Sequence, residues 1–153
     1  MRTRHVRILL SCVLIFGFSL QTGSSVPVLT PNLHRVARWG QAELVQMLLD
    51  NGADPEERDI MDRTALHHAA RHYRVVRVLV EANADPNARD RFDNTPLHMA
   101  TIDYDSVRLL IEAGADVNAQ NSINRTPLDI ALRQGTSRRN REIVRLLIEA
   151  GAQ

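Results

Sequence analysis

The sequence predicts an all-α solenoid of four stacked helix–turn–helix units with β-turns projecting from one edge. Two observations predict it. The octets RTALHHAA (63–70), NTPLHMAT (94–101) and RTPLDIAL (125–132) align, and their central leucines, Leu66, Leu97 and Leu128, are spaced by 31 residues. Asp54, Asp85 and Asp116, each preceded by Ala, keep the same spacing. A period held in both halves of a unit marks a stack of repeats. Composition agrees. The chain is 44% hydrophobic and 24% charged, but holds one Trp, two Tyr and three Phe, so its core must be built from Leu, Val, Ile and Ala.

The chain opens with a segment of another kind. Residues 1–7 are basic, residues 8–20 are mostly apolar and residues 21–25 are small and polar. That order matches a secretory signal peptide over residues 1–25. Gly23 and Ser25 fit the −3 and −1 positions of a cleavage site, and cleavage after Ser19 or Ser24 is open. The alternative is an uncleaved hydrophobic segment, although a spanning helix needs about 20 apolar residues. A signal peptide implies export, secreted or periplasmic. Otherwise the chain is membrane-anchored or cytoplasmic.

Residues 26–32 read as a short linker, and 33–153 as the repeat domain, with units at about 33–58, 59–89, 90–120 and 121–153. Thr64, Thr95 and Thr126 are good N-caps, because a side-chain oxygen there accepts a bond from an unpaired helix N–H. Pro96 and Pro127 follow at the first helical position, where a missing N–H costs nothing. The second helix of each later unit carries an i, i+3, i+4 stripe: Val76/Leu79/Val80, Val107/Leu110/Ile111 and Val144/Leu147/Ile148. Gly52, Gly114 and Gly151 are placed to end helices in the left-handed conformation, with Asn83 in the same role. Unit lengths differ. Leu33 to Met47 is 14 residues, Leu66 to Val78 and Leu97 to Leu109 are 12, and Leu128 to Leu146 is 18. The expectation is a shortened turn between helices in the middle units, with Tyr73 and Tyr104 in it. The fourth unit is expected to carry a polar, basic loop, GTSRRNR (135–141).

These residues resemble the ankyrin-repeat family, whose signature combines T-P-L-H-x-A, a V-x-x-L-L helix and G-A-D-x-N-A. The resemblance covers residues 33–153, recurs four times and implies protein recognition through the turns and first helices. It also implies structural roles for His67 and His98, each bonding the Thr of its own motif and loop backbone.

Charge and motif content narrow the function. Arg2, Arg4 and Arg7 precede the apolar run, and the remaining 16 Arg face 18 Asp and Glu, a net of −2, which gives no reason to expect nucleic-acid binding. The one cysteine, Cys12, excludes an intrachain disulfide and a zinc ribbon. No catalytic residue, cofactor or metal is expected, and the repeat domain is expected to be a monomer that does not insert in a membrane. The alternative is a metal-binding or enzymatic protein using His68 and His72, which stand at i, i+4 but lack a third ligand. A pair of surface histidines is the simpler reading. Asp62, Asp93 and Asn124 stand where a turn glycine is usual and are expected at positive φ. DRFDN (90–94) lacks the spacing and terminal Glu of a calcium loop and reads as a turn. Arg138, Arg139 and Arg141 read as a solvated cluster that an acidic partner would meet. The ankyrin resemblance implies that the segment between the Ala-Asp of one unit and the Thr of the next is a projecting turn, so the partner-binding row is expected at the turn tips. Met61, Phe92 and Ile123 are 31 residues apart, with Arg63, Asn94 and Arg125 as a polar rim.

Overall fold

The computed structural model describes residues 32–153. The signal-peptide reading of 1–25 and nearly all of the proposed linker lie outside the described residues. Among the described residues eight helices follow one another in four pairs. They are α1 (Leu33–Arg38) with α2 (Ala42–Asp50), α3 (Ala65–Ala69) with α4 (Tyr73–Glu81), α5 (Pro96–Ala100) with α6 (Tyr104–Glu112), and α7 (Pro127–Arg133) with α8 (Arg138–Glu149). The first helices stack as one layer, α1 on α3 on α5 on α7. The second helices stack as another, α2 on α4 on α6 on α8. Each helix thus packs on its own partner and on the neighbouring units, the arrangement of a quasi-one-dimensional solenoid.

The core lies between the two layers. Leu66, Leu97, Leu79, Leu110, Leu147, Val76 and Val107 are wholly buried, and Ala37, Ala69, Ala100 and Ala131 let the first helices approach closely. Thr64, Thr95 and Thr126 cap α3, α5 and α7 in extended conformation, and each cap is reciprocal, the N3 side chain returning a bond to the cap backbone. Gly52, Gly114 and Gly151 follow the second helices at φ +88°, +89° and +97°, and Asn83 takes that place at +61°.

Unit-to-unit stitching adds to the stacking. Asn87 donates its side-chain amide to the Gly114 carbonyl and accepts from Asp116 N–H, and Asn118 repeats the pattern on Gly151 and Gln153. At the corresponding place Glu56 accepts from Asp85 N–H. These bonds satisfy backbone groups at the ends of helices in the next unit.

Three expectations about the connections are corrected. Tyr73 and Tyr104 are the first residues of α4 and α6, not turn residues. The connector between paired helices is three residues long in units one to three, so the two missing residues come out of the first helix, which shrinks from six residues to five and starts one position earlier relative to its leucine. The fourth unit's extra length is mostly helix: α7 has seven residues and α8 twelve. Ser137 caps α8 by accepting from Asn140 N–H, so Arg138, Arg139 and Arg141 form a helical first turn and not a loop. Asn140 fills the bend, buried, donating to the carbonyls of Ala131 (2.9 Å) and Gly135.

The bend after α1 has its own lock. His72 donates from Nε2 to the Arg38 carbonyl (3.0 Å) while its ring covers Gly40, which sits at φ +72°. A Cβ on Gly40 would lie 2.7 Å from His72 Nδ1, whereas one on Gly52 would meet nothing within 4 Å. Both Gly→Ala changes carry the left-handed penalty of about 1–2 kcal/mol. Gly40→Ala should cost roughly 1 kcal/mol more than Gly52→Ala through overpacking, and that excess should vanish in a His72→Ala background. Urea denaturation of the four variants measures this directly.

Candidate functional site

The projecting edge is built from three five-residue turns, Asp59–Arg63, Asp90–Asn94 and Asn121–Arg125. In each, the first residue's N–H donates to the fifth residue's carbonyl at 3.0 Å, and the fourth residue's N–H returns to the first carbonyl at 2.9 Å. The fourth residues, Asp62, Asp93 and Asn124, have φ of 60°, 57° and 54°, as their short polar side chains predict. The leading residue fastens the turn. Oδ1 of Asp59 accepts from the N–H groups of Met61 and Arg63 at 2.7 and 3.0 Å, Asp90 does the same for Phe92 and Asn94 at 2.9 Å, and Asn121 for Ile123 and Arg125 at 3.1 and 3.0 Å.

Successive turns are joined tip to tip. Arg91 N–H donates to the Met61 carbonyl and Ser122 N–H to the Phe92 carbonyl, both at 2.9 Å. Behind them, the Arg58 guanidinium donates to the Arg89 carbonyl (2.7 Å) and Arg89 to that of Gln120 (3.0 Å). The tips therefore form a continuous hydrogen-bonded edge.

Imidazoles tie this edge to the helices. Thr64 N–H donates to His67 Nδ1 (3.2 Å), and His67 Nε2–H donates to the Asn94 carbonyl in the next turn (3.0 Å). His98 repeats this with Thr95 and the Arg125 carbonyl, both at 3.0 Å. An Nδ1 that accepts and an Nε2 that donates define a neutral ring. Burial holds both rings below the usual imidazole value, against the upward pull of the carbonyls they bond.

A family model described as ankyrin repeats in three copies matches residues 29–90 and 84–153, and the two matches together span all four helix pairs. The chain belongs to the ankyrin-repeat family. No curated protein matches it. Ankyrin repeats are in general scaffolds for protein–protein interaction and are typically non-enzymatic. The Thr–His bonds made by His67 and His98 are the structural roles that the ankyrin resemblance implied.

Within this ankyrin edge, Phe92 and Ile123 project with 50% and 61% of their surface exposed, while Met61 is half-buried. Ile60, which sequence comparison passed over, is 87% exposed one position earlier. The cause is the register: its 31-residue equivalents are Arg91 and Ser122, so no apolar row marks that position. Arg63, Asn94 and Arg125 stand beside the tips, half-buried. Asn94 is held inside the scaffold, bonding Asp90 and accepting from Asn121 Nδ2 (2.9 Å), and Arg63 pairs with Asp59 at 3.3 Å.

His68 and His72 do not make a surface pair. His68 Nε2 meets Asp59 Oδ2 at 2.8 Å, whereas His72 Nε2 meets the Arg38 carbonyl. Among the described residues no group of three or more His, Cys, Asp or Glu side chains is placed to hold a metal. For Asp59, burial raises the carboxyl, but the Arg63 N–H, the His68 imidazole, the Met61 N–H and the Arg63 charge together outweigh it, so it lies far below the ordinary range. For His68, burial outweighs the Asp59 hydrogen bond and lowers the ring's value.

His67, His68 and His98 are thus all depressed in the folded chain. As pH falls, the unfolded chain takes up protons first, so their contribution is complete above about 6.5 and is lost as pH falls from there through the folded values. The urea midpoint should hold steady above neutrality and drop as pH falls below about 6.5, and His98→Gln should make the drop shallower. A midpoint flat across that range would contradict the neutral-ring assignment.

Proposed function

We propose that this chain is a non-catalytic adaptor that recognises a partner protein through the edge formed by its turn tips, with Phe92 as the central anchor. The observation that carries the reading is the half-exposed Phe92 on a turn whose backbone groups are bonded on both sides, to Met61 below and Ser122 above. An apolar side chain there gains little from scaffold packing, and a contiguous exposed apolar patch on a soluble domain is commonly an interaction surface. Ile60 and Ile123 are exposed on the turns bonded to either side of the Phe92 turn, and Met61 is half-buried. The exposed charges of Asp62, Asp93 and Arg91 make the polar surround, since Asn94 and Arg63 are engaged inside the turns. Aromatic residues are favoured as anchors because they bury a large area with few rotatable bonds.

Full-length chain immobilised against an extract of the source organism should retain a partner whose affinity falls by roughly 1–2 kcal/mol, about 5–30-fold, on Phe92→Ala and on Ile123→Ala. Thermal midpoints should stay within a degree or so of the parent, because both side chains are surface residues. Loss of stability with unaltered binding would place the row in the core instead.

A further inference from the structure

A second surface lies at the far end of the stack. Leu132, Val144 and Ile148 line a shallow open groove of about 470 Å³ beside the Gly135–Thr136 bend, with Arg141 and the Arg145–Glu149 pair also lining it. Leu132 is 59% exposed and Ile148 is 55% exposed.

Two residues make this face unlike those between units. At the positions equivalent to Leu132, 31 and 62 residues earlier, stand Thr101 and Ala70, small and wholly buried where the next unit presses against them. A leucine there would hold a following unit away. His67 and His98 also reach the next turn, whereas Asp129 stands in their place and makes only the local cap with Thr126, at 2.9 Å to its N–H and 3.1 Å to its hydroxyl. The face therefore does not take another unit in the manner of the inner ones, yet it exposes Leu132 and Ile148, where the inner units have buried Ala70 and Thr101 and half-buried Val80 and Ile111.

Charge indicates what covers it. From Pro127 to Glu149 there are five Arg and three acidic residues. The first turn of α8 carries Arg138, Arg139 and Arg141 with no acidic residue, at the end of a helix where the dipole is already positive. Arg138 pairs with Glu142 at 3.1 Å and Arg145 with Glu149 at 2.8 Å, while Arg139 and Arg141 have no ion-pair partner among the described residues. Three arginines at a helix N-terminus repel both one another and the dipole, an arrangement that an anionic partner relieves.

We propose that the Leu132–Val144–Ile148 groove is a second docking surface, separate from the turn tips, which takes an acidic peptide segment bearing spaced aliphatic side chains from a partner protein. The aliphatic side chains occupy the groove, and the carboxylates face Arg141 and its neighbours in the first turn of α8. Apolar anchors supply affinity in such a mode, and the charges supply orientation and association rate.

The test is a displayed random-peptide library, selected against the full chain and counter-selected against its Leu132→Ser/Ile148→Ser variant, with thermal melts confirming that every variant is folded. Peptides that depend on the groove should be rich in Asp and Glu with spaced Leu, Ile or Val. Synthetic copies should lose about tenfold or more in affinity with Arg141→Glu/Arg145→Glu, by charge reversal at the contact. They should bind Phe92→Ala like the parent, which separates this surface from the turn-tip edge. Selected peptides that bind parent and Leu132→Ser/Ile148→Ser alike, or that carry no acidic bias, would overturn the proposal. So would a concentration-dependent dimer, seen by light scattering and abolished by Leu132→Ser, because the face would then belong to a second copy.

Discussion

The neutral imidazole that joins each inner unit to the next turn is the interaction on which the rest of the architecture depends. His67 and His98 each accept from the backbone of their own cap and donate to a carbonyl of the next turn, Asn94 and Arg125 respectively. One planar group thereby pairs a helix-start N–H that would otherwise be buried without a partner, and gives a turn carbonyl, already bonded within its own turn, a second donor. It also sets the spacing. The turn can project no further from the helices than the ring allows, so the tips fall into line and their backbones bond to one another. The first unit achieves a similar end with His34, whose Nε2 lies 2.8 Å from the Glu57 carbonyl while Asn32 caps α1.

A scaffold so fully occupied leaves few places where side chains are not already employed. Backbone ends are taken by Asn87 and Asn118, turn donors by Asp59, Asp90 and Asn121, and the interlayer space by aliphatic residues. What remains is the projecting edge and the end of the stack, and the large exposed apolar residues Ile60, Phe92, Ile123, Leu132 and Ile148 are found at those two places. Trp39 is the exception, exposed at the other end with the Arg35 guanidinium 4.9 Å above its ring. That cation–π contact covers one ring face.

Most of the fold was legible because its signals are local. A Thr before Pro-Leu sets a helix start, a Gly or Asn after Leu-Ile sets a stop, and an Asp or Asn at the fourth turn position implies positive φ. None of these requires knowledge of distant residues. The length changes were not legible in the same way. GTSRRNR carries no apolar periodicity, so it reads as a loop, and only Ser137 with Ile143 and Leu147 behind it hints at a capped helix that begins early. The lock of His72 on Gly40 joins residues 32 apart in sequence and leaves no local mark. The site was legible only in part. Alignment by period picked Met61 as the partner of Phe92 and Ile123. Exposure depends on which way each side chain leaves the turn, and that favours Ile60.

The two surfaces differ in how they are held, and the difference bears on what each can do. The tips are loop residues, but their N–H groups are fixed by Asp90 and Asn121 and by the neighbouring turns, so little backbone freedom is left for a partner to remove. Phe92 adds a side chain with two rotatable bonds, which keeps the ordering cost small. Such an edge suits selective binding by shape. The groove on α7 and α8 is carried by helices and is rigid for a different reason, but its rim carries long, exposed arginines, of which Arg138 and Arg145 are held only by surface pairs with Glu142 and Glu149. In the mode proposed there, aliphatic contact supplies the affinity, while charge sets orientation and a salt-sensitive association rate. The four described units thus present the two proposed surfaces, one suited to discriminate by form and the other steered by charge. Both follow from where the imidazole bridges and the interlayer packing leave residues unused.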